Sequence, residues 1–262
     1  MKLPKLVGTA LALAIGLSAF PALASTVGAT PAPTSPGSSQ VYVTHGLPLD
    51  DQGTKVDVFA GAQGAPISDA GQLINDFTFG STVGPVSLTA ANYTVFLAAP
   101  TAGDDGKLSA GEVVYQQNLS VPAGLNLSAV ASFNAVGSPQ IAVFANDVSK
   151  TSYFSGRLSI RHAAAAPAVK VDVGLYPLNR IFSGQFTKTF GPATNGQQAD
   201  AVLPSFFRYD ITVKVASSGA KVDGVQKFKV DARTLTNVYA VGIPNASMPG
   251  QNFTFVVAKI KL

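Results

Sequence analysis

The two histidines are the side chains with the clearest potential for chemistry. His45 and His162 are the only histidines in the chain. Asp57 and Asp172 follow them, twelve and ten residues later, each inside a Val-Asp-Val stretch. A histidine beside a carboxylate can hold a metal ion or shuttle protons. A copper or zinc site draws on three or four nitrogen or sulfur ligands, however, and the chain has no cysteine. We therefore interpret both histidines as strand-end residues that anchor a loop, and a shared copper site is the alternative.

The segment around Asp105 has part of the spacing of a calcium-binding loop. Gly106 and Glu112 fall at positions six and twelve of such a loop, and Asp105 falls at position five. Thr101 and Gly103, at positions one and three, are poor ligands, and the flanking sequence is strand-like rather than helical. A hairpin turn explains the Asp-Asp-Gly sequence equally. We prefer the turn to weak calcium binding.

Motifs of common catalytic sites are missing from the sequence. Glu112 is the sole glutamate, and no G-x-S-x-G, P-loop, G-x-G-x-x-G or H-E-x-x-H pattern occurs. We therefore expect no cofactor and a structural or binding role. The alternative is a copper-type, superoxide dismutase-like oxidoreductase of the cell envelope.

The first 24 residues are typical of a signal peptide. Lys2 and Lys5 precede an apolar stretch over residues 6–20, and Ala22-Leu23-Ala24 provides a cleavage sequence. The apolar stretch is too short to span a bilayer, and no later stretch is long enough. With no cysteine for disulfides, these features predict an exported protein of the periplasm, the cell surface or envelope, or the extracellular space.

The remainder of the chain contains a duplication. His45 and His162 are 117 residues apart, and Tyr93 and Tyr209 are 116 apart. Offsets this constant indicate two copies of one domain. We place the copies at residues 41–148 and 156–262, after a flexible Pro-, Ser- and Gly-rich linker over residues 25–40.

Within each copy the residue pattern is that of short strands. Asp210, Thr212 and Lys214 alternate with Ile211 and Val213, so we expect the polar three to face water and the apolar two to face a core. Such strands, separated by Pro and Gly, predict an all-β protein of two tandem antiparallel immunoglobulin-like β-sandwiches.

The two copies carry opposite charge. From residue 25 to 156, three lysines oppose nine acidic residues, for a net charge of −6. From residue 157 to 262, thirteen Lys and Arg oppose five Asp, for a net charge of +8. This polarity favours head-to-tail self-association, or binding of the basic copy to an envelope or surface-layer protein or to an anionic polymer. Nucleic acid is not an expected partner of an exported protein.

Three short sequences resemble one known family. Arg161-His162-Ala163, Val171-Asp172-Val173 and the segment 86–95 are similar to the landmarks of the DUF4397 family. Ala91-Asn92 stands where that family prefers Gly-Thr, and Phe206-Phe207-Arg208 precedes Tyr209 in the second copy. The resemblance implies an exported, often duplicated β-rich domain without an assigned biochemical role.

Overall fold

The structure is a computed structural model that describes residues 37–48, 55–100, 107–181, 187–222, 226–246 and 251–262. The predicted signal peptide and most of the predicted linker lie outside these residues. The described part contains sixteen strands, one short helix and two 3-10 turns. The strands form two β-sandwiches, as the sequence predicts.

Sandwich 1 contains the first eight strands. They are β1 Ser38–His45, β2 Lys55–Ala62, β3 Gly71–Thr78, β4 Thr82–Thr89, β5 Ala91–Ala98, β6 Val113–Val121, β7 Asn126–Phe133 and β8 Pro139–Ala145, with 3-10 turns at Ile67–Asp69 and Ala110–Glu112. Sandwich 2 contains the other eight strands and the helix. They are β9 Ser155–Ala164, β10 Val169–Tyr176, α1 Leu178–Ile181, β11 Thr187–Ala193, β12 Gln198–Pro204, β13 Arg208–Val215, β14 Gln226–Lys229, β15 Thr234–Gly242 and β16 Thr254–Lys261.

Both sandwiches have the same strand order. The sheets of sandwich 1 run β4-β1-β7-β8 and β3-β2-β5-β6. Those of sandwich 2 run β12-β9-β15-β16 and β11-β10-β13-β14, which is the same order advanced by eight strands. The pairings β1–β7 and β9–β15 are parallel, whereas all other strand pairs are antiparallel. Each sandwich therefore departs from the expected antiparallel pattern at one strand pair.

A tyrosine occupies the same place in both sandwiches. The Tyr93 hydroxyl donates a hydrogen bond to the Thr89 carbonyl oxygen at 2.9 Å. The Tyr209 hydroxyl donates to the Pro204 carbonyl oxygen at 2.8 Å. Both tyrosines lie near the start of a strand and bond back to the preceding corner, which is a feature of immunoglobulin-like sandwiches.

The first strand begins earlier than the sequence indicates. Strand β1 starts at Ser38, inside the predicted linker. The Ser39 side chain is buried, and its hydroxyl bonds the Pro122 carbonyl oxygen and accepts from the Leu125 backbone N–H. These bonds fix a Ser-rich segment whose composition alone favours a linker, so the linker prediction extends too far along the chain.

The two sandwiches pack against each other through one sheet each. These inner sheets are β4-β1-β7-β8 and β12-β9-β15-β16, and the remaining two are the outer sheets. A buried apolar cluster joins Val130 and Phe144 of sandwich 1 to Ala163, Tyr239 and Val241 of sandwich 2. We call this contact between the inner sheets the junction.

Strands β7, β9 and β15 are buried on both faces because they lie between a sandwich core and the junction. In β9, Leu158 and Ile160 enter the core of sandwich 2, whereas Ser159 and Arg161 are buried at the junction. In β7 every residue after Asn126 is buried.

Gly46 provides a test of packing at the junction. A Cβ atom at this position would lie 2.7 Å from Val241 Cγ1 and 3.1 Å from the Ala131 carbonyl oxygen. We expect Gly46→Val to lower the free energy of unfolding by about 1–3 kcal/mol, because a packed core tolerates extra atoms poorly. Chemical denaturation measures the change. Gly71→Val is the control, since Gly71 faces open space. Equal stability of the two variants would contradict close packing at the junction.

Candidate functional site

Both histidines lie at the ends of inner-sheet strands. His45 is buried at the end of β1, where its Nδ1 accepts from the Leu47 backbone N–H at 3.3 Å and its ring contacts Phe77. His162, near the end of β9, accepts at Nδ1 from the Ala164 backbone N–H at 3.4 Å. Both sandwiches therefore contain the same hydrogen bond, from the backbone N–H two residues after the histidine to its Nδ1.

The structure does not pair His162 with Asp172. His162 Nε2 lies 3.2 Å from the Pro167 carbonyl oxygen, so a neutral ring protonated at Nε2 satisfies both nitrogens locally. Asp172 lies on an outer-sheet strand and bonds Thr189 and Lys214. Asp57 likewise lies on an outer sheet, where it accepts from the Asp76 backbone N–H at 2.7 Å.

Asp105 and Glu112 of the calcium-like loop are the remaining candidate metal ligands, and of these two the structure describes Glu112. Asp105 of the calcium-like loop lies outside the described residues. The Glu112 carboxylate accepts from the Ser109 N–H at 2.7 Å and from the Ser109 hydroxyl at 2.8 Å, which caps a 3-10 turn. Within the described ranges, His, Asp and Glu side chains form no group of three that could hold a metal ion.

His162 gives the fold a dependence on pH. Burial lowers the pKa of His162 below its ordinary value of 6.5, and the bond to the Pro167 carbonyl opposes this shift only in part. At a pH between the pKa of His162 in the folded chain and its pKa in the unfolded chain, only the unfolded chain binds a proton at this residue. The contribution of neutral His162 to the free energy of unfolding is therefore complete above pH 6.5 and declines as the pH falls.

We expect His162→Gln to reduce this dependence. Denaturant midpoints measured at about pH 7.5 and about pH 5.5 should differ less for the variant than for the unaltered protein. The Gln side chain keeps a donor and an acceptor near the backbone groups that the ring contacts. A variant that retained the full difference between the two midpoints would show that another group causes it.

The strongest candidate site is a cleft on the outer sheet of sandwich 2. Its volume is about 410 Å³, and it is open to solvent. Carboxylates, hydroxyls, an amide and two ammonium groups line it. The lining residues are Asp172, Gly174, Asn179, Thr187, Thr189, Asp210, Thr212, Lys214 and Lys221.

Asp172 is held on one side of the cleft. Its carboxylate accepts from the Thr189 hydroxyl at 2.6 Å and from Lys214 Nζ at 2.6 Å. Burial raises the pKa of Asp172, but the bonds from Lys214 and Thr189 and the charges of Lys214 and Lys170 together lower it below the ordinary value. The carboxylate is therefore ionised at neutral pH and fixed in orientation.

The glycine at position 174 leaves space for helix α1 to approach the other side of the cleft. Gly174 faces the cleft, and a Cβ atom there would lie 2.3 Å from Asn179 Nδ2. Asn179 thereby reaches Asp210, with Nδ2 3.4 Å from Asp210 Oδ2. Asp210 is only 2% exposed, so the prediction that it faces water is wrong. The Asn179 Oδ1 atom is buried without a hydrogen-bond partner among the described residues.

Cations surround the cleft on the same face. Alternation along the strands and their register place six basic side chains on this face: Lys170, Arg208, Lys214, Lys221, Lys227 and Lys229. Lys170 is directly opposite Lys214, and Arg208 is directly opposite Lys229. Like charges directly opposite each other destabilise a sheet. We call this surface, with its cleft, the basic face.

The same face of sandwich 1 is closed. Phe59 and Phe96 are cross-strand neighbours there, and they are buried in an apolar cluster with Leu108. Phe96 and Thr212 each lie three residues after the equivalent tyrosine of their sandwich. The residue directly opposite is Phe59 in sandwich 1 and Asp172 in sandwich 2. The two sandwiches thus share a strand order but differ at this face, which is apolar and filled in one and polar and open in the other.

The sequence singles out Asp172 of this site only as a candidate metal ligand, in the alternative to the strand-end interpretation of His162. Asn179, Thr187 and Thr189 were not predicted, because their relation to Asp172 depends on strand pairing and on the helix after β10. The available signal was that Thr212 stands in the second sandwich where the first has the aromatic residue Phe96.

No helix in the described part of the chain has both the length and the apolar character needed to cross a membrane.

Comparison with solved structures gives distant likenesses. The Bacillus anthracis TIE protein is 10% identical with a TM-score of 0.25, and the alignment covers 78% of this chain but 34% of that protein. CBMbc (family CBM26) from Eubacterium rectale Amy13K, solved with maltoheptaose, is 10% identical with a TM-score of 0.25, covering 86% of this chain and 97% of that one. The Porphyromonas gingivalis fimbrial anchor protein Mfa2 is 12% identical with a TM-score of 0.23, covering 86% and 98%. Likenesses of this size carry no argument about function.

Comparison with curated proteins gives no match. The model of one protein family, DUF4397, matches residues 39–172, which is just over half of the chain. The match begins at the second residue of β1, includes the rest of sandwich 1 and continues into β10. The chain therefore belongs to the DUF4397 family, a domain of unknown function.

Proposed function

We propose that this protein is an exported, non-catalytic binding protein of the cell envelope, and that its basic face binds an acidic polysaccharide. The observation that carries the proposal is the open cleft among six cations on the outer sheet of sandwich 2. Pairs of like charge across adjacent strands cost stability, and an anionic ligand would offset that cost.

The groups in the cleft suit the hydroxyl groups of a sugar. Asp172 and Asp210 supply acceptors, the threonine hydroxyls supply both donors and acceptors, and Asn179 supplies an amide. An isolated buried amide oxygen is costly, so a ligand hydroxyl that donates to Asn179 Oδ1 would gain affinity. The surrounding lysines would then contact the acid groups of neighbouring sugar units.

Export and duplication of the domain are inferred from the sequence and from the repeated strand order. The charged and apolar segments of residues 1–24 favour export through a signal peptide. The repeated strand order favours a tandem duplication in which one copy kept a filled outer face and the other acquired the cleft. An envelope protein that docks on the basic face, or head-to-tail self-association through the opposite net charges, would use the same cations.

Affinity chromatography tests the proposed function. The chain from Ser25 onward is applied to immobilised polygalacturonate and, as the control, to immobilised dextran. We expect retention on polygalacturonate at about 0.05 M salt and elution by about 0.5 M salt, since ions screen exposed charges. Equal retention on dextran, or retention that salt does not weaken, would refute an acidic polysaccharide as the ligand.

A further inference from the structure

One end of sandwich 2 exposes a group of aromatic side chains. Tyr153 is 72% exposed, Phe154 is 71%, Phe206 is 64% and Phe207 is 37%. The Ser205 backbone N–H donates to the Phe154 carbonyl oxygen at 2.8 Å, which brings the two turns side by side. We call these four residues the aromatic end. The Phe206 and Phe207 ring centroids are 4.6 Å apart. Exposed apolar side chains that are grouped rather than scattered singly indicate an interaction surface.

The aromatic end is distant from the junction. Strand β9 begins beside it, at Ser155, whereas the other end of β9 meets sandwich 1, where Asn195 Nδ2 donates to both the Phe133 and Ala164 carbonyl oxygens. Packing between the sandwiches therefore does not cover these rings. The first copy has Ala91-Asn92 before its tyrosine, where the second has Phe207-Arg208.

Cations lie directly beside the exposed rings. The Arg233 guanidinium carbon is 3.7 Å from the centroid of the Tyr153 ring. Arg208 follows Phe207 in the chain, and Lys229 is its cross-strand neighbour. Asp231 is the nearby carboxylate, and Lys259 Nζ binds it at 2.6 Å. The rings are thus bordered by exposed positive charge.

We propose that the aromatic end docks on the surface of an anionic lipid bilayer. Exposed aromatic rings favour the boundary between headgroups and acyl chains, and adjacent Arg and Lys side chains are attracted to anionic headgroups. Four side chains cover too little surface for a stable dimer. A second copy would also place Arg208 and Arg233 near their own counterparts, whereas anionic phosphates complement both.

Vesicle sedimentation tests this inference. The chain from Ser25 onward is mixed with vesicles of equal parts phosphatidylglycerol and phosphatidylcholine, or with vesicles of phosphatidylcholine alone. We expect binding to the anionic vesicles. The double variant Phe154→Ser with Phe206→Ser should have a partition coefficient at least about tenfold lower, because it removes two exposed rings that the bilayer would bury. Val136→Ser is the matched control, since Val136 is 84% exposed on sandwich 1.

Three results would overturn the inference. The first is equal binding to anionic and neutral vesicles. The second is unchanged binding by the double variant, whose fold is checked by circular dichroism. The third is a concentration-dependent dimer that sediments as such and that the double variant abolishes, which would assign the aromatic end to a second copy of the chain.

Discussion

Arg161→Ala is expected to lower the free energy of unfolding by about 3–5 kcal/mol, because buried acceptors would lose a charged donor and a cavity would remain. Arg161 is fully buried between the two sandwiches. Its guanidinium donates to Asn146 Oδ1 at 2.6 Å, to the Ala145 carbonyl oxygen at 3.2 Å and to the Tyr239 hydroxyl at 3.0 Å. One side chain of sandwich 2 thus satisfies polar groups from both sandwiches.

The surroundings of Arg161 explain why it is tolerated although no carboxylate of the described residues contacts it. The guanidinium carbon lies 5.1 Å from the Phe144 ring centroid and 5.3 Å from that of Tyr239. Burial lowers the pKa of Arg161, and interactions with Tyr239 and the charge of Asp200 oppose this effect. Several donors in a planar arrangement reach several acceptors at once, which a lysine ammonium cannot reproduce.

Denaturant unfolding followed by circular dichroism measures this effect. Arg208→Ala is the matched control, because Arg208 is exposed at the start of β13 and its loss should change stability by less than about 0.5 kcal/mol. Arg161→Lys should also be less stable than the unaltered protein, since it keeps the charge but loses the fork of donors. An Arg161→Ala midpoint equal to that of Arg208→Ala would show that the junction does not depend on this side chain.

Reversing two charges on the basic face is expected to weaken binding of polygalacturonate about a hundredfold. The double variant is Lys170→Glu with Lys227→Glu. Both side chains are exposed, and Lys227 Nζ lies 4.7 Å from the Tyr176 ring centroid. The change removes two favourable contacts and adds two repulsive ones, each worth about 0.5–1 kcal/mol at an exposed site.

The control for this variant is a charge reversal on the other sandwich. Lys55→Glu changes an exposed lysine of β2, whose side chain is 52% exposed. It alters the net charge in the same direction but lies outside the basic face, so affinity should change by less than about twofold. Isothermal titration at one salt concentration compares the proteins. If Lys55→Glu weakened binding as much as the double variant, the ligand would respond to overall charge and not to the basic face.

Strand alternation allowed the sequence to predict the sandwiches. Ile211 and Val213 are buried in the core of sandwich 2, as their spacing indicates. Tyr93 and Tyr209 occupy equivalent corners of the two sandwiches. The burial of Ile211 and Val213 follows from one buried face per strand, and the tyrosine bonds join residues close in sequence. Both kinds of feature can be predicted from the residue pattern of a single segment.

The junction and the cleft could not be predicted in the same way. Alternation assumes that one face of a strand meets water, whereas β15 is buried on both faces, so Asn237 and Tyr239 are inaccessible. Asp210 is similarly removed from water by Asn179, a residue from a four-residue helix. Both effects come from elements distant in the sequence, and the residue pattern of a single strand does not contain them.

The position of the bound ligand on the protein distinguishes the basic face from every other surface. Backbone and Asn side-chain amide signals of the isotopically labelled protein would be followed by nuclear magnetic resonance during titration with trigalacturonate. If trigalacturonate binds the basic face, we expect changes at Gly174, at the Asn179 side chain and along β10, β13 and β14. Changes confined to sandwich 1 or to the aromatic end would contradict it, as would an unchanged spectrum at saturating trigalacturonate.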